Sequence, residues 1–316
     1  MTLAVAIANY IDLNQSMGMR FHVDAAILKA FHRHAGEIDL AAITPEVIVA
    51  FLQPRRQVTS TWFMKHRALR RFYQYGITRG LVTHSPLPTA VPRVTETFIP
   101  HIYSDEELRR LLAGVEAHQA RARCTIAAPT FRALLLLLYG AGLRLGEALA
   151  LRREEVDLLT GMVLIRQAKF YKARSLPIGP TLTQALAATV APTPTLPRAI
   201  PPATFFANRS GEALPHQTVR HTFVSLCART GVSARAGSPA APRLHDLRHT
   251  FAVHRLLAWY REGADVQRCL PHLSTYLGHA RVACTQRYLT MIPELLEQAS
   301  RRFETYAQVE VDHDAV

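Results

Sequence analysis

Pro86, Pro88, Pro92 and Pro100 punctuate the chain between Thr83 and His101, a stretch with neither helical nor strand periodicity. Proline fixes φ and removes a backbone donor, so a stretch this rich in it cannot be a helix interior or a central strand. The 316 residues are therefore expected to form two bodies, residues 1–85 and residues 101–316, joined by a linker at residues 86–100. The first body reads as helical. Its last helix, starting near the cap candidates Thr59 and Ser60, is expected to put Trp62, His66, Leu69, Tyr73 and Gly76 on one face and Arg67, Arg70 and Arg71 on another.

That helix lies in a one-sided charge run. From Gln53 through Thr95 there are eight basic residues and no acidic one. Solvated faces normally mix signs, so one sign over such a length points to a phosphate-contacting surface, with Arg67, Arg70 and Arg71 as candidate DNA contacts. The whole chain carries a formal charge of +13, which favours a polyanionic partner: nucleic acid first, an anionic membrane surface second. A membrane span is not expected, because the longest apolar run, Ala133 to Leu143, is core-helix length and bracketed by Arg132 and Arg144. No basic residue precedes the short apolar stretch Leu3 to Ala8, so a signal peptide is not expected either. Cys124, Cys227, Cys269 and Cys284 lie far apart without a Cys-x-x-Cys pair, which argues against a disulfide framework or zinc site and fits a reducing cytoplasm.

In the second body, Ser104-Asp-Glu-Glu107 reads as a capping box opening a helix through Leu112. A helix from about Thr130 to Tyr139 should end at Gly140 or Gly142. Met162 to Gln167 and Ser175 to Ile178 read as two short strands joined by a basic turn, and the pattern is mostly helical from about His216 onward. Three clusters stand out. Arg144 follows the glycine-ended helix, with Glu147 three residues on, able to hold its guanidinium if a helix restarts there. His245 and Arg248 share one helical face, a geometry that suits a phosphate, while His249 falls on another as the helix runs toward the core. Leu277-Gly-His279 is followed nine residues later by Tyr288.

In this order the motifs resemble those of the tyrosine recombinases, the integrase and Xer-type enzymes that cut and rejoin DNA. The resemblance spans both bodies: a helical domain ending in a basic helix, a proline-bearing linker, then Gly-Leu-Arg144-Leu-Gly-Glu, a lysine on a strand-turn-strand, His245-x-x-Arg248, Leu-Gly-His279 and Tyr288. It implies a mainly α fold with a small β-sheet, in which a helical core-binding domain precedes a mixed α+β catalytic domain. It further implies cleavage of double-stranded DNA through a 3′-phosphotyrosyl link without metal or other cofactor, and four copies of the chain on paired sites, with a second recombinase sharing the synapse left open. The nearest rival chemistry is a type IB topoisomerase. A rival of another class is a DNA-binding regulator with a degenerate catalytic domain.

The residue types suit that chemistry. Arg144 and Arg248 can donate charged hydrogen bonds to nonbridging phosphate oxygens. A phenol ionises near pH ~10 in water, so Tyr288 needs a base or a cationic site to become nucleophilic, and His245 is the candidate for its proton. The resemblance assigns protonation of the departing 5′ oxygen to Lys169 and a phosphate hydrogen bond to His279. Where the family commonly has glycines beside the lysine, Ala168 and Phe170-Tyr171 flank Lys169 here, and Lys172 is a near competitor. Aligning Lys-x-x-Lys-x-Arg-x-x-Pro on Lys169, Lys172, Arg174 and Pro177 favours Lys169. Beyond Tyr288, Ile292, Leu295, Leu296, Ala299, Phe303 and Tyr306 recur at helical spacing, an apolar stripe expected to dock on a neighbouring protomer or on its own domain.

Overall fold

The computed structural model describes residues 1–19, 21–54, 58–92, 99–166, 173–190, 204–234 and 241–290, with isolated positions 297 and 300. Lys169 and Lys172, Arg55 and Arg56, and the stripe from Ile292 to Tyr306 lie outside the described residues. The chain divides into two compact units, Met1–Phe98 and Ile99–Val316, with the division inside the proline-bearing stretch.

The first unit contains four helices: α1 (Leu3–Ser16), α2 (His22–Ala35), α3 (Pro45–Leu52) and α4 (Ser60–Thr78). Pro45 sits in the first turn of α3, where a missing N–H costs nothing. Trp62, Leu69, Phe72, Tyr73 and Gly76 fall on the buried side of α4, which packs against the three other helices around Leu3, Ile7, Leu28, Phe31 and Ile48. Burying such side chains is worth roughly 1.5–3 kcal/mol each relative to exposure, so this stripe fixes which face of α4 turns outward. Arg67, Arg70 and Arg71 are on that outward face, all exposed. Arg71 leans back to Asp24 of α2 at 3.4 Å.

The second unit opens with α5 (Asp105–Gln119), started by a complete capping box: Glu107 N donates to Ser104 Oγ at 3.2 Å, and Ser104 N to Glu107 Oε2 at 2.8 Å. α5 runs seven residues past Leu112 because Val115, His118 and Gln119 remain buried. Next come α6 (Ala128–Gly140) and the short α7 (Leu145–Ala150). β1 (Val156–Asp157), β2 (Met162–Ile165) and β3 (Arg174–Pro177) form an antiparallel sheet in the order β1-β2-β3, with Met162 opposite Pro177 and Ile165 opposite Arg174. α8 (Pro180–Val190), α9 (His216–Arg229), α10 (Leu244–Arg261), α11 (Val266–Leu277) and α12 (Ala283–Gln286) follow, then a 3₁₀ turn at Arg287–Thr290.

The apolar helix α6 is the hub of this unit, packing against α5, α8 and α10. Its leucines Leu134, Leu135, Leu137 and Leu138 are almost completely buried. No helix among the described residues is long and apolar enough to cross a membrane. A second apolar cluster joins Ala252, Val253, Leu256 and Leu257 of α10 to Leu270, Leu273 and Leu277 of α11 and to Tyr288. Between α6 and α7 the chain reverses at Gly142, whose φ is +60° and whose missing Cβ leaves room for Phe251 and Leu277; a Cβ there would lie 2.6 Å from the Phe251 ring. That close approach brings the start of α7, the body of α10 and the end of α11 to one place.

Candidate active site

The last carbonyls of a helix have no intrahelical donor and carry the negative end of its dipole, so cations gather there. At the end of α11 three consecutive carbonyls each receive a different arginine. Arg174 Nε donates to Tyr276 O at 3.0 Å, Arg248 Nη2 to Leu277 O at 2.6 Å, and Arg144 Nη2 to Gly278 O at 3.1 Å. Gly278 takes the left-handed conformation, φ +67°, that closes the helix, and its N–H and that of His279 return to α11 carbonyls.

Each arginine is anchored at a second point. Arg248, 1% exposed, donates through Nη1 to Gly142 O at 2.6 Å. Arg144 is the N-cap of α7, and its Nη1 reaches Glu147 Oε1 at 2.8 Å while Glu147 Oε2 accepts from the Arg144 backbone N–H at 3.0 Å. The carboxylate expected to hold Arg144 does so. Arg174, from β3, grips the same carboxylate with both nitrogens, Nη1 to Oε1 at 3.2 Å and Nη2 to Oε2 at 2.9 Å. Burial pushes the Glu147 pKa up, but the Arg174 hydrogen bonds and the charges of Arg174 and Arg144 outweigh it and leave the carboxyl below its usual range. Glu147 is therefore an anion between two guanidiniums.

Tyr288 comes into this pocket from the 3₁₀ turn after α12 and is 2% exposed. Its hydroxyl lies 3.1 Å from His249 Nδ1. The Arg248 guanidinium favours the phenolate form, and in a neutral imidazole with its proton on Nε2 the His249 Nδ1 can accept the phenol proton. His245 packs edge-on against His249 with ring centroids 4.7 Å apart. The His279 ring stacks over Tyr288 at 6.1 Å, and its Nδ1 hydrogen-bonds Thr285 Oγ1 at 2.8 Å.

The electrostatics follow from burial among arginines. Desolvation, reinforced by Arg248, lowers His245 to about 4, although that residue keeps an exposed face. Desolvation together with His245 and the nearby arginines lowers His249 to about 3. His279 falls to about 4 for the same reason, burial first and then Arg248 and Arg144. Burial raises the Tyr288 phenol above its ordinary value, and Arg248, Arg287 and Arg144 offset only part of that. The Arg248 guanidinium is lowered to about 10 by burial and by Arg144, which leaves it cationic at neutral pH. The free site thus holds cationic arginines, neutral imidazoles and a protonated phenol.

Of the residues expected from sequence, Arg144, His245, Arg248, His279 and Tyr288 converge here, and Lys169 lies outside the described residues. Arg174 and His249 were not among them. Arg174 was visible only as the last residue of the basic turn, used to align it on Lys169, and His249 was expected on another face than His245, whereas i,i+4 spacing puts the two rings together on one face. Among the described residues no three His, Cys, Asp or Glu side chains gather in a way that could hold a metal ion.

A family model described as the phage integrase family matches residues 103–293. The protein y4rB of Sinorhizobium fredii, named as an integrase/recombinase, is 33% identical over 315 residues, covering 96% of this chain and 97% of that protein. The tyrosine recombinase XerC of Anoxybacillus flavithermus is 30% identical over 247 residues, 75% of this chain and 73% of its own length. A lambda integrase tetramer bound to a Holliday junction matches with a TM-score of 0.68 at 17% identity, over 91% of this chain and 77% of that one, a likeness of fold.

Proposed function

Because this chain belongs to the phage integrase family and is a site-specific tyrosine recombinase, we propose that Tyr288 is the nucleophile that attacks a DNA phosphodiester, with Arg144 and Arg248 as the charged donors to its nonbridging oxygens. The observation that carries this assignment is the Tyr288 hydroxyl, buried beside Arg248 and directed at His249 in the pocket that Arg144 borders. In the proposed step the phenol oxygen forms a bond to phosphorus and the bond from phosphorus to the 5′ oxygen breaks. The phenol proton passes to the His249–His245 pair, and the departing 5′ oxygen takes a proton from Lys169, the residue the resemblance assigns. His279, stacked over the phenol, orients it and donates to the phosphate. The 3′-phosphotyrosyl link keeps the energy of the broken bond, and a 5′ hydroxyl from a partner strand reverses the step to rejoin the DNA.

Double-stranded DNA is the proposed partner. The formal charge of +13 supports it, as do the exposed Arg67 and Arg70 of α4, with Arg71 as a third contact shared with Asp24. Four copies on two paired sites are the proposed assembly, by analogy with the lambda integrase tetramer on its junction. The proposed setting is a reducing cytoplasm, consistent with four free cysteines.

A nicked suicide duplex drawn from the DNA flanking the gene tests the nucleophile. Tyr288→Phe removes only the attacking oxygen, so it should bind the duplex as the wild type does and form no covalent adduct. Adducts surviving in that variant would overturn the assignment, and a strict need for divalent metal, tested with EDTA, would count against the arginine-based chemistry.

A further inference from the structure

Three arginines meet the end of α11, and the proposed reaction uses two. Arg174 is 10% exposed in its side chain and spends its guanidinium on protein groups alone: both oxygens of Glu147 and the Tyr276 carbonyl. It comes from β3, the strand that follows the basic turn. The backbone leaves room for it: a Cβ on Gly278 would sit 2.7 Å from Arg174 Nη1 and 2.9 Å from its central carbon. Gly278 is thus constrained twice, by its left-handed φ and by the guanidinium packed on it.

We propose that Arg174 is a positioning residue for strand cleavage: by clamping Glu147 and Tyr276 together it holds Arg144 and the Gly278–His279 turn in their working geometry. This rests on the functional reading above. A planar fork is the group that can do it, since it meets both carboxylate oxygens and keeps Nε free for a carbonyl in the same plane. Its loss leaves Glu147, 5% exposed, with Arg144 as the remaining hydrogen-bonded cation. The charged groups facing that carboxylate are Arg144 from α7 itself, Arg174 from β3 and Arg248 from α10. With Arg174 removed, the burial that already opposes ionisation of Glu147 wins more ground, and a protonated Glu147 no longer fixes the Arg144 guanidinium.

Two measurements test this on the full chain with Arg174→Gln and Arg174→Lys. Carboxyl ¹³C NMR follows Glu147 without DNA. Its midpoint should rise by at least about one pH unit in Arg174→Gln and by less in Arg174→Lys, which keeps charge but loses the fork. Adduct formation on the flanking-DNA suicide duplex should slow at least about tenfold in Arg174→Gln with affinity held within about twofold, and its acid limb should shift upward with the Glu147 midpoint. Arg174→Lys should recover part of the rate. An unmoved Glu147 midpoint in both variants overturns the proposal, as does a pH profile parallel to that of the wild type. Should Arg174→Gln fail to fold, Arg174→Lys carries the same two readouts, and a wild-type midpoint there is the overturning result. Tyr288→Phe run alongside separates the cases: adducts in that variant sink the functional reading, whereas altered Arg174 profiles without them leave it intact.

Discussion

Imidazoles held neutral by burial among arginines make the second unit acid-sensitive in a calculable way. His249 and His279 are half-buried and lowered to about 3 and about 4, against 6.5 for an ordinary histidine. Below the ordinary value the unfolded chain binds protons that the folded site refuses, so stability is fully present above about 6.5 and falls as pH drops from there to the folded values. At about pH 5 each such histidine forfeits roughly 2 kcal/mol relative to about pH 7.5, from ~1.4 kcal/mol per unit over the ~1.5 units between 6.5 and 5. Discounted for solvent at the edge of the pocket, the pair should cost the fold about 3 kcal/mol. Glu147 lies below its ordinary range, so its own contribution is lost at more acid pH, outside this window. The assay uses Trp259, which packs in the cluster that holds Tyr288; Trp62 is the other tryptophan and lies in the first unit. In a Trp62→Phe background, urea unfolding of the second unit is followed by Trp259 fluorescence at about pH 7.5 and about pH 5. His249→Gln removes one titrating ring, so its loss of stability between the two pH values should be smaller than that of the parent by about 1–2 kcal/mol. Equal pH dependence in the two proteins would refute the view that burial, reinforced by His245 and the arginines, keeps His249 neutral.

Three further outcomes are expected. A duplex with a 5′-bridging phosphorothiolate carries a leaving group that needs little proton assistance, so it should rescue cleavage by Lys169→Ala; rescue confined to Lys172→Ala would reassign the turn lysine. Replacing Arg67 and Arg70 by alanine should lower the slope of log affinity against log salt by about 0.9 for each phosphate left without its arginine, and Arg71→Ala by less because Asp24 already holds it; an unchanged slope returns α4 to a solvated face. Gly142→Ala must adopt φ +60° and push a Cβ to within 2.6 Å of Phe251, so it should destabilise the second unit by about 2–4 kcal/mol in the same urea assay; a loss under about 0.5 kcal/mol would mean Phe251 gives way freely.

What could be read from the sequence was whatever is local. The Ser104 capping box, the glycine reversal before Arg144, the Arg144–Glu147 spacing and the shared face of His245 and Arg248 depend on a few neighbouring residues, and the structure has each of them. What could not be read depends on closure in three dimensions. Arg174 meets Glu147 across 27 residues and Tyr276 across 102, and nothing in a basic turn announces either partner. His249 lies four residues after His245 on α10, so helical spacing already places it beside that histidine, but nothing local shows what it meets. It becomes a site residue because the chain returns after α12 to bring Tyr288 onto it. β1 has only two residues, too few for any alternation to register.

The same geometry explains how Tyr288, the proposed nucleophile, can sit preassembled without being reactive. In the free protein burial raises the Tyr288 phenol above its ordinary value and lowers His249 to about 3, so passing the phenol proton to that imidazole runs uphill. Phenolate is therefore negligible before DNA arrives, even though Arg248 and Arg287 favour it. After burial, Arg248 and Arg144 lower both His245 and His279, and these are the arginines proposed to face the phosphate. A phosphodiester seated between them would add a second anion beside Glu147, and each unit of imidazole pKa it restores returns about 1.4 kcal/mol to proton transfer. Substrate charge is thereby coupled to activation of Tyr288. In the proposed mechanism Tyr288 stays protonated where no phosphate is bound, and the arginines proposed to recognise the scissile group are also those whose neutralisation would make His249 and His245 more basic.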